Sequence, residues 1–399
     1  MTRLSAKIAA VEESQTLALT RLASQLKARG VDVVSLTAGE PDFDTPEHVK
    51  EAAIRAIREN FTHYTANQGI PELIAAILEK FSTDNGLEFG PSQILVSCGA
   101  KHSIFNALLA ICNPGDEVII PAPYWVSYPE MAKIADAVPV VVPTTRETGY
   151  RIGPDTLRRA ITNRSRVLVL NSPSNPTGAV YSAEELEALA PVIASAGLYV
   201  IADEIYEKIL YDGLQHYSIG AVDGLRDRVI TVNGVSKAYA MTGWRIGYMG
   251  GPEDVVSAAA KVQSQATSNA NSIAQRAALA ALTGPADDVN RMVAEFRTRR
   301  DLFSSALRAI PGIELDPPGG AFYLFPDVSA YTGTRRGDGV ITGDTQLSSY
   351  LLEEAKVAVM PGSAFGSPGH LRLSYACSAG DIGEAARRLT GAFAGLHDA

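Results

Sequence analysis

At 399 residues the chain is long enough for two or three domains, and 46% apolar with 20% charged residues is ordinary for a soluble globular enzyme. A net charge of -9 and an isoelectric point near 5.3 speak against nucleic acid or an anionic membrane as partner, since both demand basic patches. Cys98, Cys112 and Cys377 show no CxxC spacing and their odd count makes no disulfide framework, which fits a reducing cytoplasm, while the six histidines lack ligand spacing, so no metal is expected.

Residues 1–30 read as a polar arm and an amphipathic helix over 19–28, closed by Gly30. Glu12 and Glu13 interrupt the arm before any apolar stretch long enough for a signal peptide or transit sequence, and no later run reaches membrane length. A strand over 31–37 ends in the turn Ala38-Gly39-Glu40-Pro41-Asp42-Phe43. Helices follow over 48–60, 71–85 and 101–112. Strands are expected over 94–97, 117–120, 138–142, 167–171, 198–203 and 229–233. Strands separated by helices indicate an α/β domain around a mostly parallel sheet. After Pro285 the pattern changes to a long polar helix over 287–309 and then Gly319-Gly-Ala-Phe-Tyr-Leu-Phe325, the start of a smaller α+β domain. The expected division is 1–45 (arm and helix, part of the small domain), 46–290 (large domain) and 291–399 (small domain). Residues 332–345, rich in Gly, Thr and Arg, read as an exposed, mobile loop with Arg335 and Arg336 on a solvated turn.

The chemistry concentrates after the last of these strands. Lysine ordinarily stays hydrated at a surface, yet Lys237 follows the apolar run 228–233, which reads as a buried parallel strand. Burial and a nearby cation such as Arg245 both disfavour the ammonium and bring its pKa toward a range where the amine attacks a carbonyl. Ser236 and Arg245 offer a hydroxyl and a planar fork of N–H groups suited to phosphate. Together they point to pyridoxal phosphate.

Three other clusters also stand where a strand gives way to a loop, the place at which open parallel sheets bind ligands. Gly99-Ala100-Lys101 opens a helix whose free N–H groups suit a phosphate. Asn171-Ser-Pro-Ser-Asn175-Pro-Thr-Gly178 follows the next, and Asp203-Glu204-Ile-Tyr206 closes an apolar run. A buried Asp203 needs a cationic or N–H partner, for which a pyridinium nitrogen qualifies; a helix N-cap is the competing reading. Asn175 and Tyr206 are neutral donors for a phenolic oxygen, or else a turn Asn and a core Tyr. Trp125 offers a face for ring stacking, or a buried indole. Arg372, in the alternating strand 370–375, would clamp an α-carboxylate if it faces the cleft.

The segment Ser236-Lys-Ala-Tyr-Ala-Met-Thr-Gly-Trp-Arg-Ile-Gly-Tyr248 resembles the lysine segment of the class I aminotransferases of fold type I, with Lys237 and Arg245 at the family's spacing. The resemblance runs from Thr37-Ala-Gly-Glu-Pro-Asp-Phe43 through 121–131, 171–178 and 202–206 to Leu371-Arg-Leu-Ser-Tyr-Ala376. It looks closest to the bacterial aspartate aminotransferase branch, some of whose members also use prephenate. It implies an α/β fold: a large domain built on a mostly parallel seven-stranded sheet flanked by helices, with a smaller α+β domain. It also implies pyridoxal 5'-phosphate as cofactor, with Lys237 as its Schiff-base partner, Asp203 on the pyridine nitrogen, and Asn175 and Tyr206 on the phenolic oxygen. Gly99, Ala100, Lys101, Ser236 and Arg245 match the phosphate contacts. Gly39, Trp125, Asn175 and Arg372 match substrate contacts. Tyr64 matches a tyrosine reaching the phosphate from the other subunit of a homodimer. Ser14, Thr16 and Lys101 match positions reading the distal carboxylate. Glu12 stands where prephenate-competent relatives can carry lysine, which speaks against prephenate.

The function so implied is ping-pong transfer of the amino group of aspartate or glutamate to 2-oxoglutarate or oxaloacetate. Rival readings keep the cofactor but change the substrate, to prephenate, aromatic or small neutral amino acids, or change the outcome, to carbon–sulfur cleavage. A DNA-binding regulator would need a basic helix-turn-helix that is not seen, and a nicotinamide dehydrogenase would need a G-x-G-x-x-G after a strand.

Overall fold

The computed structural model describes residues 5–11, 15–336 and 339–396. Its centre is a seven-stranded sheet: β1 (Ile94–Ser97), β2 (Glu117–Ala122), β3 (Val138–Pro143), β4 (Ser165–Asn171), β5 (Tyr199–Asp203), β6 (Val229–Gly234) and β7 (Gly247–Gly250). Across the sheet the order is β1-β7-β6-β5-β4-β2-β3. Five of the seven, β1, β2, β4, β5 and β6, appear as apolar runs because they are covered on both faces, and every residue of β1 and β6 is buried; the edge strand β3 is apolar too, but Val138 and Val141 are exposed. One face is closed by helices Ala100–Ile111 and Glu253–Ala266, through Ile104, Leu108 and Val256 on Leu95, Ile201 and Ile230. Helix Ala183–Ala196 closes the other, through Leu189 and Ile193 on Leu168 and Val200.

β7 is the strand that sequence reading misses. It runs antiparallel to both neighbours, β1 and β6. Gly-Tyr-Met-Gly has little strand propensity, but a Cβ on Gly247 would collide with the backbone at Gly99 and Ala100. Glycine is needed there so that the sheet can approach the turn that enters helix Ala100–Ile111.

Helices Glu47–Arg58, Pro71–Asn85 and Ser272–Thr283 pack against Ile94, Val96 and Tyr248 of the same sheet, while the C-terminal part of the chain forms a second core around helix Asp287–Arg308, whose Phe296 and Phe303 pack with Phe322, Tyr323 and Tyr375. A three-stranded antiparallel sheet places Leu371–Ser374 between Met360–Pro361 and Tyr323–Leu324. The strand expected over 31–37 is shorter, Val34–Ser35, and pairs in parallel with Val357–Ala358. Ile205, Tyr206, Ile209 and Tyr211, which follow β5, share this core. That packing sets Arg372 opposite the carboxyl ends of the large sheet. The expectation of an exposed loop over 332–345 holds at Thr332, Arg335, Gly339, Val340, Thr342 and Thr345 but not for the whole segment. Arg335–Arg336 pairs with Gly339–Val340, Thr334 is buried, and the buried Asp344 carboxylate accepts the Ser363 N–H and hydroxyl, both at 2.6 Å. Polar composition hides buried carboxylates of this kind, because they are held by hydrogen bonds rather than apolar contact.

Candidate active site

A cavity of about 460 Å³ opens beyond the carboxyl ends of β4, β5 and β6. Gly39, Ala100, Lys101, Trp125, Asn175, Asp203, Tyr206, Ser236, Lys237, Arg245 and Arg372 all line it. Five loops at strand ends of the large sheet, the turn at Gly39 and the strand of Arg372 therefore meet at one place.

Lys237 stands just past β6, and its Nζ donates to the carbonyl of Gly39. Burial, the largest influence, lowers its ammonium to about 8; Glu40 opposes this and Arg245 adds to it. Asp203 ends β5 and is buried. Its Oδ2 accepts the Tyr128 hydroxyl at 2.6 Å and its Oδ1 the Ile205 N–H at 3.3 Å. Desolvation raises this carboxyl to about 6 even against those two donors. No cationic side chain bonds it among the described residues, so the acid faces the cavity still short of a positive partner.

Arg372 is 2% exposed. It donates to Asn175 Oδ1 at 3.0 Å and to the Thr37 carbonyl at 2.8 Å, and its guanidinium lies over the rings of Tyr323 and Phe365, at 4.6 and 4.8 Å. Its Nε is buried without a hydrogen-bond partner among the described residues. A guanidinium sandwiched by two rings and anchored at two points has one orientation, the property a carboxylate clamp needs.

At the opposite end Gly99 precedes helix Ala100–Ile111 with φ +89°, and a Cβ there would run into the Arg245 guanidinium. Arg245 adopts a left-handed backbone, φ +58°, and is held by the carbonyls of Thr242 (2.9 Å) and Cys98 (3.4 Å). A non-glycine residue in that conformation is strained, and strain of this kind collects at working sites. The Lys101 ammonium lies 4.8 Å from the centre of the Trp125 ring, and burial, then the Arg245 charge, lowers its pKa. With the helix N–H groups and the Ser236 hydroxyl, this end suits a phosphate.

One expected residue is not brought here by its own chain, and two lie where the structure describes no side chain. Tyr64 is 90% exposed and does not line the cavity of its own chain. Ser14, like Glu12, lies outside the described residues, and Thr16 sits in helix Gln15–Ala28 with its side chain outside the described set. Sequence reading also missed residues that matter. Glu40 and Tyr323 line the cavity, Glu40 accepts the Thr242 hydroxyl at 2.6 Å, and Tyr128 holds Asp203. Tyr128 lies one helical turn beyond Trp125, the one signal that pointed to it; nothing local marks Tyr323.

Residues 31–389 match the family described as aminotransferase class I and II. An aspartate aminotransferase of Pinus pinaster is 50% identical over 381 residues, 94% of this chain and 77% of its own length. An aspartate/prephenate aminotransferase of Nitrosomonas europaea is 49% identical, covering 97% of this chain and 98% of its own. The crystal structure of the aspartate aminotransferase from Rhizobium meliloti superposes with a TM-score of 0.96 at 45% identity, over 99% of this chain and 100% of that one. The fold is thus fold type I, as the lysine segment implied. With a half-buried lysine and a buried acid and arginine converging on one cavity and the match running through nearly the whole chain, this protein belongs to the class I and II aminotransferases.

Proposed function

We propose that the chain is a pyridoxal-phosphate aspartate aminotransferase that moves the amino group of aspartate or glutamate to 2-oxoglutarate or oxaloacetate in two alternating half-reactions. The observation that carries this reading is the convergence of Lys237, Asp203 and Arg372 on one cavity. The relatives named aspartate aminotransferase support the choice of donor.

The residues fit the cofactor on their own chemistry. A buried carboxyl pushed up to about 6 by desolvation suits a protonated ring nitrogen. A glycine where a Cβ would strike Arg245 lets that guanidinium lie against the turn entering helix Ala100–Ile111, so that it and the helix N–H groups suit one phosphate. When bound, pyridoxal phosphate supplies an aldehyde that captures amines and a ring that accepts the electrons left on the substrate's α-carbon. Lys237 serves twice, as the amine that holds the aldehyde and, once released, as the base that removes the α-proton and returns it elsewhere. Arg372 binds the α-carboxylate, with Asn175, Trp125 and the Gly39 backbone fixing the substrate beside it. Asp203 stabilises charge on the ring nitrogen, and Tyr206 and Asn175 donate to the ring oxygen. Lys101, Arg245, Ser236, Gly99 and Ala100 hold the phosphate.

The same reading assigns Tyr64 to the site of a second copy in a homodimer, which its 90% exposure supports. It gives Ser14 and Thr16 to the distal carboxylate, a cytoplasmic location to the protein, and the division 1–45, 46–290 and 291–399 to the chain. Two separate cores, one around the large sheet and one around helix Asp287–Arg308, support that division. No helix among the described residues is long and apolar enough to cross a membrane.

A second reading adds prephenate as acceptor, because several relatives carry aspartate/prephenate in their names. The acid at Glu12 speaks against it. Single-turnover mixing with aspartate tests the main reading: it expects oxaloacetate and the pyridoxamine form, whereas pyruvate and ammonia without an acceptor would overturn it. Steady amino transfer to prephenate would establish the second.

A further inference from the structure

Tyr323 is completely buried and lines the cavity, yet the reaction described above gives it no task. Its strand pairs antiparallel with that of Arg372, so that Tyr323 stands opposite Ser374. Arg372 is two residues from Ser374 and therefore projects from the same sheet face as Tyr323. This explains why the guanidinium lies over the Tyr323 ring, 4.6 Å from its centre. At the far end of the same ring, the Tyr323 hydroxyl is 2.8 Å from that of Tyr206. One side chain thus touches both the carboxylate clamp and a donor to the cofactor's ring oxygen.

Charge sets the direction of that hydrogen bond. A cation over the face of a phenol draws electron density from it and makes its O–H the better donor. Tyr323 then donates, Tyr206 accepts, and the Tyr206 O–H is left to donate into the cavity. Hydrogen bonds in such a chain strengthen one another in a site of low dielectric.

We infer that Tyr323 is a positioning residue that couples carboxylate binding at Arg372 to the donor strength of the Tyr206 hydroxyl. A carboxylate on Arg372 neutralises the charge over the Tyr323 ring, so Tyr323 donates less strongly and Tyr206 in turn donates less strongly to the ring oxygen. That oxygen keeps more negative charge and holds the proton at the Lys237 nitrogen more tightly. Occupancy of the clamp is thereby reported to the lysine before any bond to the α-carbon breaks. Tyr323 acts through its neighbours and touches no reacting atom.

The inference rests on reading the cavity as a pyridoxal phosphate site, and the test separates the two. The absorbance of the lysine-bound cofactor is titrated with pH in the holoenzyme, with and without succinate, a dicarboxylate that has no amino group to react. In the wild type, succinate moves the titration midpoint upward. Tyr323→Phe is expected to raise the succinate-free midpoint by about half a pH unit, the scale of one lost hydrogen bond, and to shrink the shift that succinate causes. What survives in the variant is the direct field of Arg372 and its hydrogen bond to Asn175, the other donor to the ring oxygen. Should Tyr323→Phe not retain cofactor, Tyr206→Phe removes the same hydrogen bond from its other end and should likewise shrink the succinate shift. In the double variant the two changes should not add. A succinate shift of wild-type size in these variants overturns the coupling while leaving the cofactor site intact. A wild type with no titrating cofactor absorbance overturns the site and the coupling together.

Discussion

The Tyr128 hydroxyl donates to Asp203 Oδ2 at 2.6 Å, and both groups are buried. This is the bond that lets an acid remain ionised where desolvation works against it. Burial raises the Asp203 carboxyl to about 6, and the Tyr128 hydrogen bond is the first of the influences restraining that rise. A hydrogen bond to a charged group contributes about 1.5–3 kcal/mol, which corresponds to roughly one pH unit or more. In cofactor-free protein, Tyr128→Phe should therefore move the Asp203 titration upward by about one unit, and carboxyl NMR reads this directly. In the holoenzyme the acid limb of activity should move to higher pH, because the carboxylate is lost earlier as pH falls. An unchanged Asp203 titration would mean that the bond contributes nothing to holding the acid ionised.

Lys237 should behave as an amine of low basicity. Burial brings its ammonium to about 8, so in cofactor-free protein its rate of arylation should climb as pH rises through about 8 and level off above it. Arg245→Ala removes a charge that lowers this value and should move the midpoint up. Glu40→Gln removes one that raises it and should move the midpoint down. A single rise near the ordinary lysine value in all three proteins would remove the basis for treating this amine as poised for attack.

Much of the sheet was legible because every strand but β7 appears as a plain apolar run, five of them covered on both faces and the edge strand β3 partly exposed. Their ends carry Asn171, Asp203 and Lys237, so the placement of the cofactor cluster followed from strand ends alone. Gly247–Gly250 escaped because its glycines answer a close backbone approach in space, not a local preference. Tyr128 and Tyr323 escaped for a different reason. In one dimension each is an ordinary core aromatic, and only the fold shows that one hydroxyl meets Asp203 while the other meets Tyr206. Arg372 was legible as a candidate but its orientation was not, since Leu371 and Leu373 on the same strand are equally buried.

Arg372→Ala should separate substrate binding from cofactor binding. The substitution removes the clamp and strands Asn175 Oδ1 and the Thr37 carbonyl, which it holds at 3.0 and 2.8 Å. Losing a buried, hydrogen-bonded charge partner typically costs about 2–5 kcal/mol, so kcat/KM for aspartate should fall by roughly 10²–10³-fold. The absorbance of the lysine-bound cofactor should persist, because Lys237 and Asp203 do not hydrogen-bond to Arg372. Loss of absorbance together with activity would show instead that Arg372 holds the cofactor pocket together.

Behind Asp203, Glu204, Glu207 and His216 bring ligand atoms within 4.8 Å of one another. The Lys80 ammonium ion-pairs with Glu207, Asn85 donates to both carboxylates at 3.0 and 2.7 Å, and His216 Nε2 lies 2.9 Å from Glu204. Two anions thus meet a lysine and an imidazole, and the group balances when His216 is protonated. Burial pushes the His216 pKa down, but the Glu204 carboxylate 2.9 Å away and the Glu207 charge outweigh it, and the net shift is upward from 6.5. A histidine raised on folding contributes stability that is fully present below about 6.5 and is lost as pH rises through the higher folded value. Glu207 acts in the opposite sense. Burial raises its carboxyl, but the lowering by Lys80, His216 and the Asn85 hydrogen bond outweighs this and the net value lies below 4.5, so its contribution is lost as pH falls through that lower value. Unfolding free energy measured in urea should therefore decline above pH 6.5, with a slope of at most about 1.4 kcal/mol per pH unit from this one proton. His216→Asn should be less stable below that point and should flatten the decline above it. A decline of the same slope in the variant would assign the alkaline loss to some group other than His216.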